Sequence, residues 1–576
     1  MVEVNFSRNL TWLYIIVVVL LSILGALLVA SNNNPLLLYV YVPLISVAPI
    51  IYLKSSEHSS VLDSAFIYVL SITLCYHILL SSWYLAGSDI QVEHYLAQRV
   101  LENGFWDPHI THNYNSALSV TILAPILQFT TSISLPHVFK VIYPLIYSII
   151  PVILYKMFLK LSYERKDSFL AVFYFISMFP FYTELLQIAK QMIAEVLLAI
   201  FLYLVVTWPS CLRNASKTIL LLLMLQFGIV FSHYGTYYIW FSILMISEII
   251  FLVLTRRKVL LYVVIASYIF QYLYYVTISG SSVLKTALIT IQMFIENISA
   301  MLSPYHAQGI EYVVKEKTTL HQVLTYMYLT SLIIVALGVS QKLLWLLRYA
   351  IKDQVNGFHN KNIFYYSLSV VAGIFFLISG LSTLSAALNI TRIYHLSAFI
   401  LAPSFIDGYN FIGKAIKGAN KKTIWACFLA IFLLFNTGYM YEIANMLGYS
   451  EQSFSGALNP HMDRATLTSQ DYYATLWLKE LIHPAISYQI YTDLIGKNNI
   501  RAYLNESMIK LLTPNSSVSC NSLIFVRRNS ILYGFLTIQY VGNVQLCRYI
   551  KTDMIVNFSE VQTIFSGGAI IFIKTC

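Results

Sequence analysis

Asp89 and Glu93 are the acid pair best placed to do chemistry in this chain. They lie in Gly87-Ser88-Asp89-Ile90-Gln91-Val92-Glu93-His94-Tyr95, at the end of an apolar run. On a helix, positions four apart share one face. Like charges at that spacing repel and weaken the helix. Such a pair is kept for a compensating reason, for example a shared cation or a carboxyl whose pKa is lifted for acid–base work. The plainer reading is a solvated loop helix with two ordinary acids.

Three further clusters follow. Glu184, Gln187, Gln191 and Glu195 have helix-face spacing with Lys190 among them. Glu195 falls inside an apolar run, where an acid is costly and usually functional; the plain alternative is one salt bridge to Lys190. Phe231-Ser232-His233-Tyr234-Gly235-Thr236-Tyr237-Tyr238 puts His and Tyr beside Gly and Thr, as a binding rim would. Asn389-Ile390-Thr391-Arg392-Ile393-Tyr394-His395 sets a guanidinium one turn before a His. That Arg either snorkels to lipid headgroups or clamps a phosphate, which its planar fork suits. After the acid pair come Trp106, fit for an interfacial belt, and His109 and His112. No third ligand has matching spacing, so hydrogen bonding suits these two histidines better than zinc.

The elements that must position these residues are membrane helices. Of 576 residues, 58% are hydrophobic and 11% charged, and the mean hydropathy is +0.69. A soluble domain carries about 25% charge. The composition excludes a disordered or nucleic-acid-coating protein. Thirteen runs are long enough to span: 11–30, 36–53, 61–86, 137–160, 168–184, 190–207, 218–234, 237–255, 259–280, 322–347, 363–384, 390–412 and 423–441. The run 11–30 reads as a helix rather than a cleaved signal peptide. With the N-terminus cytoplasmic, the loops divide 19 basic residues inside to 7 outside, as the positive-inside rule requires. Counting 117–134 as a span would spoil that split, so it is expected to lie at the outer interface or re-enter.

The expected domains are 1–441, a multi-span region with long outer loops 87–136 and 281–321, and 442–576, an extracytoplasmic α/β domain. In the tail, Tyr472–Leu481 has helical periodicity. Residues 486–491, 522–526, 531–541 and 569–573 read as strands. Cys520 and Cys547 could pair if the tail is outside, with Cys576 left over. Four sequons, at Asn297, Asn505, Asn515 and Asn557, fall on the same side. All four chemical clusters then face outward, whereas a transporter would gather polar groups near the midplane.

This pattern resembles the GT-C superfamily of integral-membrane glycosyltransferases, which use lipid-phosphate-linked sugars and carry an acidic pair in the first large outer loop. Asp89 and Glu93 match that pair. The segment 113–134 matches the juxtamembrane helix that follows it. Lys190 to Glu195 is similar to the second motif, a basic residue followed by an acid. Trp477-Leu478-Lys479 and Tyr491-Thr492-Asp493 resemble the start of the outer domain of oligosaccharyltransferase subunits. The stretches 87–107, 187–195 and 231–238 resemble most an uncharacterised family of archaeal polytopic membrane proteins taken to be glycosyltransferases. The likeness covers most of 1–412 as scattered short motifs. An Asp-x-Asp motif, a WWDYG-type motif and the His-Pro-Pro turn of protein mannosyltransferases are missing, so no acceptor is implied.

The resemblance implies a multi-pass plasma-membrane enzyme moving a hexosyl or pentosyl group, with inversion, from a polyprenyl (dolichyl) phosphate-linked donor to a glycan, lipid or protein acceptor outside the cell. Asp89 or Glu93 would be the base. Arg392, His395 and Lys190 would hold the donor phosphate. Glu195, Gln191, His233, Tyr234 and Trp106 would line the substrate. A divalent cation, Mg or Mn, bridging carboxylate and phosphate is compatible with the pair; no other cofactor and no nucleic acid is implied. Two other readings stay open: a secondary transporter or flippase of lipid-linked sugars relaying through Glu195 and Lys190, and an assembly subunit acting through its tail.

Overall fold

The computed structural model describes residues 8–574, apart from segments 208–214, 297–307, 352–359, 383–388, 414–420, 460–467, 483–487, 513–521, 541–545 and 552–560 and a few isolated positions. The chain forms two compact units that interleave in sequence. The first is Met1–Ser81, Pro108–Ser119 and Val141–Met462; the second is Ser82–Asp107, Val120–Lys140 and Asp463–Cys576. The chain thus crosses between units several times, rather than being divided at one point near residue 441. The sequons and Cys520 fall outside the described residues.

The first unit is helical. Among the described residues, 7 helices are long and apolar enough to cross a membrane, or 11 if each bent pair is one span. Several expected spans are broken. The run 168–184 divides into Arg165–Ile176 and Phe179–Gln187, bent by 67°. The cause is local: Met178 is extended, and Pro180 sits at the start of the next helix, where its missing N–H costs nothing. The run 61–86 stops at Leu79, and 259–280 turns by 90° into a helix beyond Thr277. The apolar helix Leu118–Thr131 is too short to span, in keeping with its exclusion above.

Small residues let two of the helices meet backbone to backbone. A Cβ on Gly408 of Ile390–Gly413 would come 1.9 Å from Ile334 O of Thr319–Ile351, and one on Gly338 would come 2.0 Å from Ser404 O. Close glycine crossings of this kind carry helix association where lipid supplies no hydrophobic drive. Elsewhere Ser22 donates to Thr73 O at 2.8 Å, tying Arg8–Asn32 to Ser60–Leu79.

The second unit holds the tail. A five-stranded sheet runs β2-β1-β3-β7-β6, with β1 (Ile490–Thr492), β2 (Ile509–Leu511), β3 (Ser522–Val526), β6 (Val561–Ser566) and β7 (Ile570–Lys574). β1 is parallel to β2 and β3; β7 is antiparallel to β3 and β6. β4 (Phe535–Tyr540) and β5 (Leu546–Lys551) form a separate hairpin. The core is Ala474, Leu478, Ile490, Ile500, Leu523, Phe525 and Ile571. The helix Ser469–Leu481 starts in a capping box of Thr468 and Asp471, which fixes its first turn. The expected strand 531–541 begins later: Arg528–Tyr533 is helical, and Arg528 N donates to Asp471 Oδ1 at 2.8 Å. That tertiary bond outweighs the β-preference of the apolar residues there.

Candidate functional site

The acid pair lies on the helix Ser88–Asn103, bracketed by Gly87 and Gly104. Asp89 is in its first turn, where the macrodipole favours an anion. The two acids differ: Glu93 is fully buried, whereas Asp89 is half-buried. Gln91 donates to Leu85 O at 2.9 Å and locks the turn leading into the helix. His94 sits against Phe139 and Tyr503. Burial pushes its pKa down to about 4, so it is a neutral packing residue at neutral pH.

Within the second unit the tail grips this helix. Asn498 donates to Ser88 Oγ at 2.5 Å, and Arg501 lies over the Tyr95 ring at 5.1 Å. Trp106 is half-buried at the end of the same segment. His112 caps a turn through Tyr114 N at 3.1 Å, the hydrogen-bonding role expected of it.

The first unit gathers the remaining candidates. Lys190 begins Ala189–Thr207, is 1% exposed, and holds its ammonium 3.3 Å from the Tyr114 ring. Lys190 and Arg392 both lie close enough to His233 to act on it electrostatically. His233 caps the helix Tyr234–Thr255, its Nδ1 accepting from Thr236 N at 3.2 Å and pairing with Thr236 Oγ1 at 2.8 Å. Its ring is 5.4 Å from that of Tyr234, which is half-buried. Arg392 is at the start of Ile390–Gly413. Its neighbour Thr391 donates to Glu184 Oε2 at 2.5 Å, and Glu184 feels the charges of Arg392 and His395. The break after Ile176 is what delivers Glu184 to this place.

One turn deeper is a second cluster. Glu195 and His395, both wholly buried, pair at 3.1 Å. Gln191 donates to Glu195 Oε1 at 2.9 Å, and Tyr147 OH is 3.4 Å from His395 Nε2. Phe175, Phe181 and Phe399 surround the imidazole. The bridge from Glu195 thus runs to His395, 200 positions away, and not to Lys190 as the simple sequence reading had it. Tyr147 carries no sequence signal, being one tyrosine in an apolar span.

The structure therefore unites Lys190, His233, Tyr234 and Arg392 in one cluster and Gln191, Glu195 and His395 in another, both in the first unit. Asp89, Glu93 and Trp106 belong to the second. Among the described residues no group of three or more His, Cys, Asp or Glu is arranged to hold a metal ion.

Helices of this length and polarity, with acids and cations held in or between them, define a polytopic membrane protein. The chain belongs to the family described as "Predicted membrane protein (DUF2206)", whose model matches residues 217–572, more than half of the chain. No curated protein matches the sequence.

Proposed function

We propose that this protein is an inverting GT-C-type glycosyltransferase of the cell membrane, moving a sugar from a polyprenyl-phosphate donor to an acceptor on the extracytoplasmic face. The observation that carries this reading is the gathering of Lys190, Arg392 and His233, drawn from three separate segments into one neighbourhood. Lys190 and Arg392, two cations collected in low-dielectric surroundings, favour an anion, and a lipid phosphate is the anion that a membrane brings to them. The thirteen-span count, the cytoplasmic N-terminus and the extracytoplasmic tail belong to the same reading, on the charge distribution of the loops.

In this mechanism an acceptor hydroxyl attacks the anomeric carbon as a carboxylate takes its proton. The bond between that carbon and the phosphate oxygen breaks, and polyprenyl phosphate leaves. Arg392 and Lys190 stabilise the charge that grows on the leaving oxygen. Of the two acids, the half-buried Asp89 is the carboxylate that an acceptor reaches more readily than the fully buried Glu93. The test is transfer of radiolabelled sugar from polyprenyl-phosphate donors in membranes carrying wild type, Asp89→Asn or Glu93→Gln. Loss of transfer in Asp89→Asn, with the protein still folded, is expected. Full activity in both variants would sink the mechanism.

A second reading, a secondary transporter or flippase of lipid-linked sugars, draws on the buried Glu195–His395 pair, which could pass a proton within the helices. It expects flux of the lipid-linked sugar without any transfer product.

A further inference from the structure

We infer that the helix Ser282–Glu296 lies in the plane of the membrane and seats one apolar stripe in the lipid interface. The helix before it, Leu261–Thr277, is apolar and 17 residues long, and the helical segment that follows is bent by 90° from it. If the first runs across the bilayer, the second runs along it. At about 1.5 Å per residue, its 15 residues cover roughly 22 Å of membrane surface.

The elbow is built to hold that angle. Ser279, Gly280 and Ser281 all have positive φ, 54°, 59° and 59°. A left-handed backbone at two serines is costly and persists only where the surroundings enforce it. Those surroundings are visible. Ser279 N donates to Pro108 O at 2.8 Å, Ser281 Oγ to Val276 O at 2.7 Å, and Asn113 Nδ2 to Thr286 Oγ1 at 2.9 Å. A Cβ on Gly280 would meet Thr111 Oγ1 at 3.3 Å. The segment so engaged, 108–116, also carries Tyr114 against Lys190.

Around the helix axis three stripes separate. Thr286 faces the 113 segment. Lys285, Gln292 and Glu296 form a polar stripe, interrupted by Ile289 at 56% exposed, with Gln292 donating to Glu296 at 2.7 Å. Leu288, Ile291 and Ile295, at spacings of three and four, form an apolar stripe that is 57%, 55% and 61% exposed. The exposed apolar surface continues around the elbow onto Tyr272 and Leu273 of the preceding helix, at 49% and 57%. In a membrane protein that surface faces acyl chains. Its continuation identifies the occupant of the stripe as lipid, and an amphipathic helix of this kind sinks about 5–10 Å into the headgroup boundary. On another side of the helix Thr286 is engaged by Asn113.

The test places a photocrosslinking benzophenone amino acid at Leu288 or Ile291, and for comparison at Lys285 or Gln292, in the full chain reconstituted in phosphatidylcholine vesicles. Intact-mass analysis after illumination is expected to show phospholipid adducts several-fold more abundant at Leu288 and Ile291 than at the polar positions. Equal adducts on both stripes, or crosslinks from the apolar stripe to a second copy of the chain, would overturn the inference. If either apolar variant fails to elute as a monodisperse peak, the probe moves to Ile295 on the same stripe. The readout does not involve sugar transfer, so it stands or falls apart from the enzymatic proposal.

Discussion

The helix Ile390–Gly413 joins two regions that handle charge in opposite ways. Arg392 and Asp407 lie 15 residues apart on it, about 22 Å along its axis. At the Asp407 end, acids and cations are matched. Lys342 Nζ is 2.8 Å from Asp407, and Tyr163 donates to the same carboxylate at 2.7 Å. Close by in the chain, Arg165 meets Asp63 at 3.0 Å, and Lys422 meets Asp167 at 3.0 Å. At the Arg392 end, the charges of Lys190 and Arg392 reach His233, and that of Arg392 also reaches Glu184. Matched charge staples helices together and is finished by folding. Two cations brought together from separate segments suit the phosphate of the proposed donor. Under the proposed function, the Asp407 end serves structure and the Arg392 end serves the donor phosphate.

The largest effect should come from the pair that lies just inside the Arg392 end. His395→Ala leaves the wholly buried Glu195 without its imidazole partner, and an unsatisfied buried polar group costs about 1–3 kcal/mol, more where it carries charge. Thermal unfolding in detergent should show it, and His395→Leu combined with Glu195→Leu should recover most of the loss. An unchanged melting temperature in His395→Ala would mean that the pair is no staple and would strengthen the relay reading. Next is Lys342→Met at the matched end. Asp407 is 26% exposed, so water softens the penalty to about 1–3 kcal/mol. Asp407→Asn added to Lys342→Met should restore stability, and neither variant should alter binding of a phosphate ligand.

Much of the scaffold could be read from the sequence, because long apolar runs and basic loops are strong signals. Ser522–Val526 is legible as a strand from its β-branched and aromatic content, and 117–134, left out of the spans on loop charge, holds a helix, Leu118–Thr131, too short to cross. The bends were not legible. Residues 168–184 read as one apolar run, and only the extended Met178 before Pro180 breaks it. The site residues were individually visible as polar groups in apolar surroundings. Their pairing was not: Glu195 has Lys190 five positions away, yet its partner His395 is set by the packing of helices far apart in sequence. Local spacing finds neighbours on one helix and is blind to those across an interface. The interleaving of the second unit escaped for the same reason, since Asn498 reaches Ser88 across 410 positions.

Smaller effects on stability are expected where the comparison says charge serves a ligand. Lys190→Gln and Arg392→Gln should each lower the stability of the ligand-free protein by less than His395→Ala does, because the glutamine amide still hydrogen-bonds where the cation stood. They should nevertheless each weaken binding of polyprenyl phosphate about tenfold, equivalent to about 1.4 kcal/mol. The shift in melting temperature caused by added polyprenyl phosphate reads this directly. A large loss of stability with unchanged binding would reverse the assignment of the two ends.

The smallest effect belongs to the most exposed member of the matched end. Glu164 reaches Lys422 at 2.7 Å but is 76% exposed, and Lys422 also holds Asp167. Lys422 keeps the Glu164 carboxyl below its ordinary pKa. A lowered carboxylate pKa gives stability that is present above the unfolded-state value and lost as pH falls through the folded one. Solvent screening limits that contribution to about 0.5 kcal/mol or less. Glu164→Gln should therefore leave the melting temperature nearly unchanged at neutral pH, and the small difference from wild type should vanish at acid pH and in high salt. Asp167→Asn removes the less exposed partner, which also accepts from Tyr409 at 2.7 Å, and should cost more. If the two variants proved equal, burial would not be what grades these staples. The contrast between matched and gathered charge would then have to rest on the Arg392 end alone.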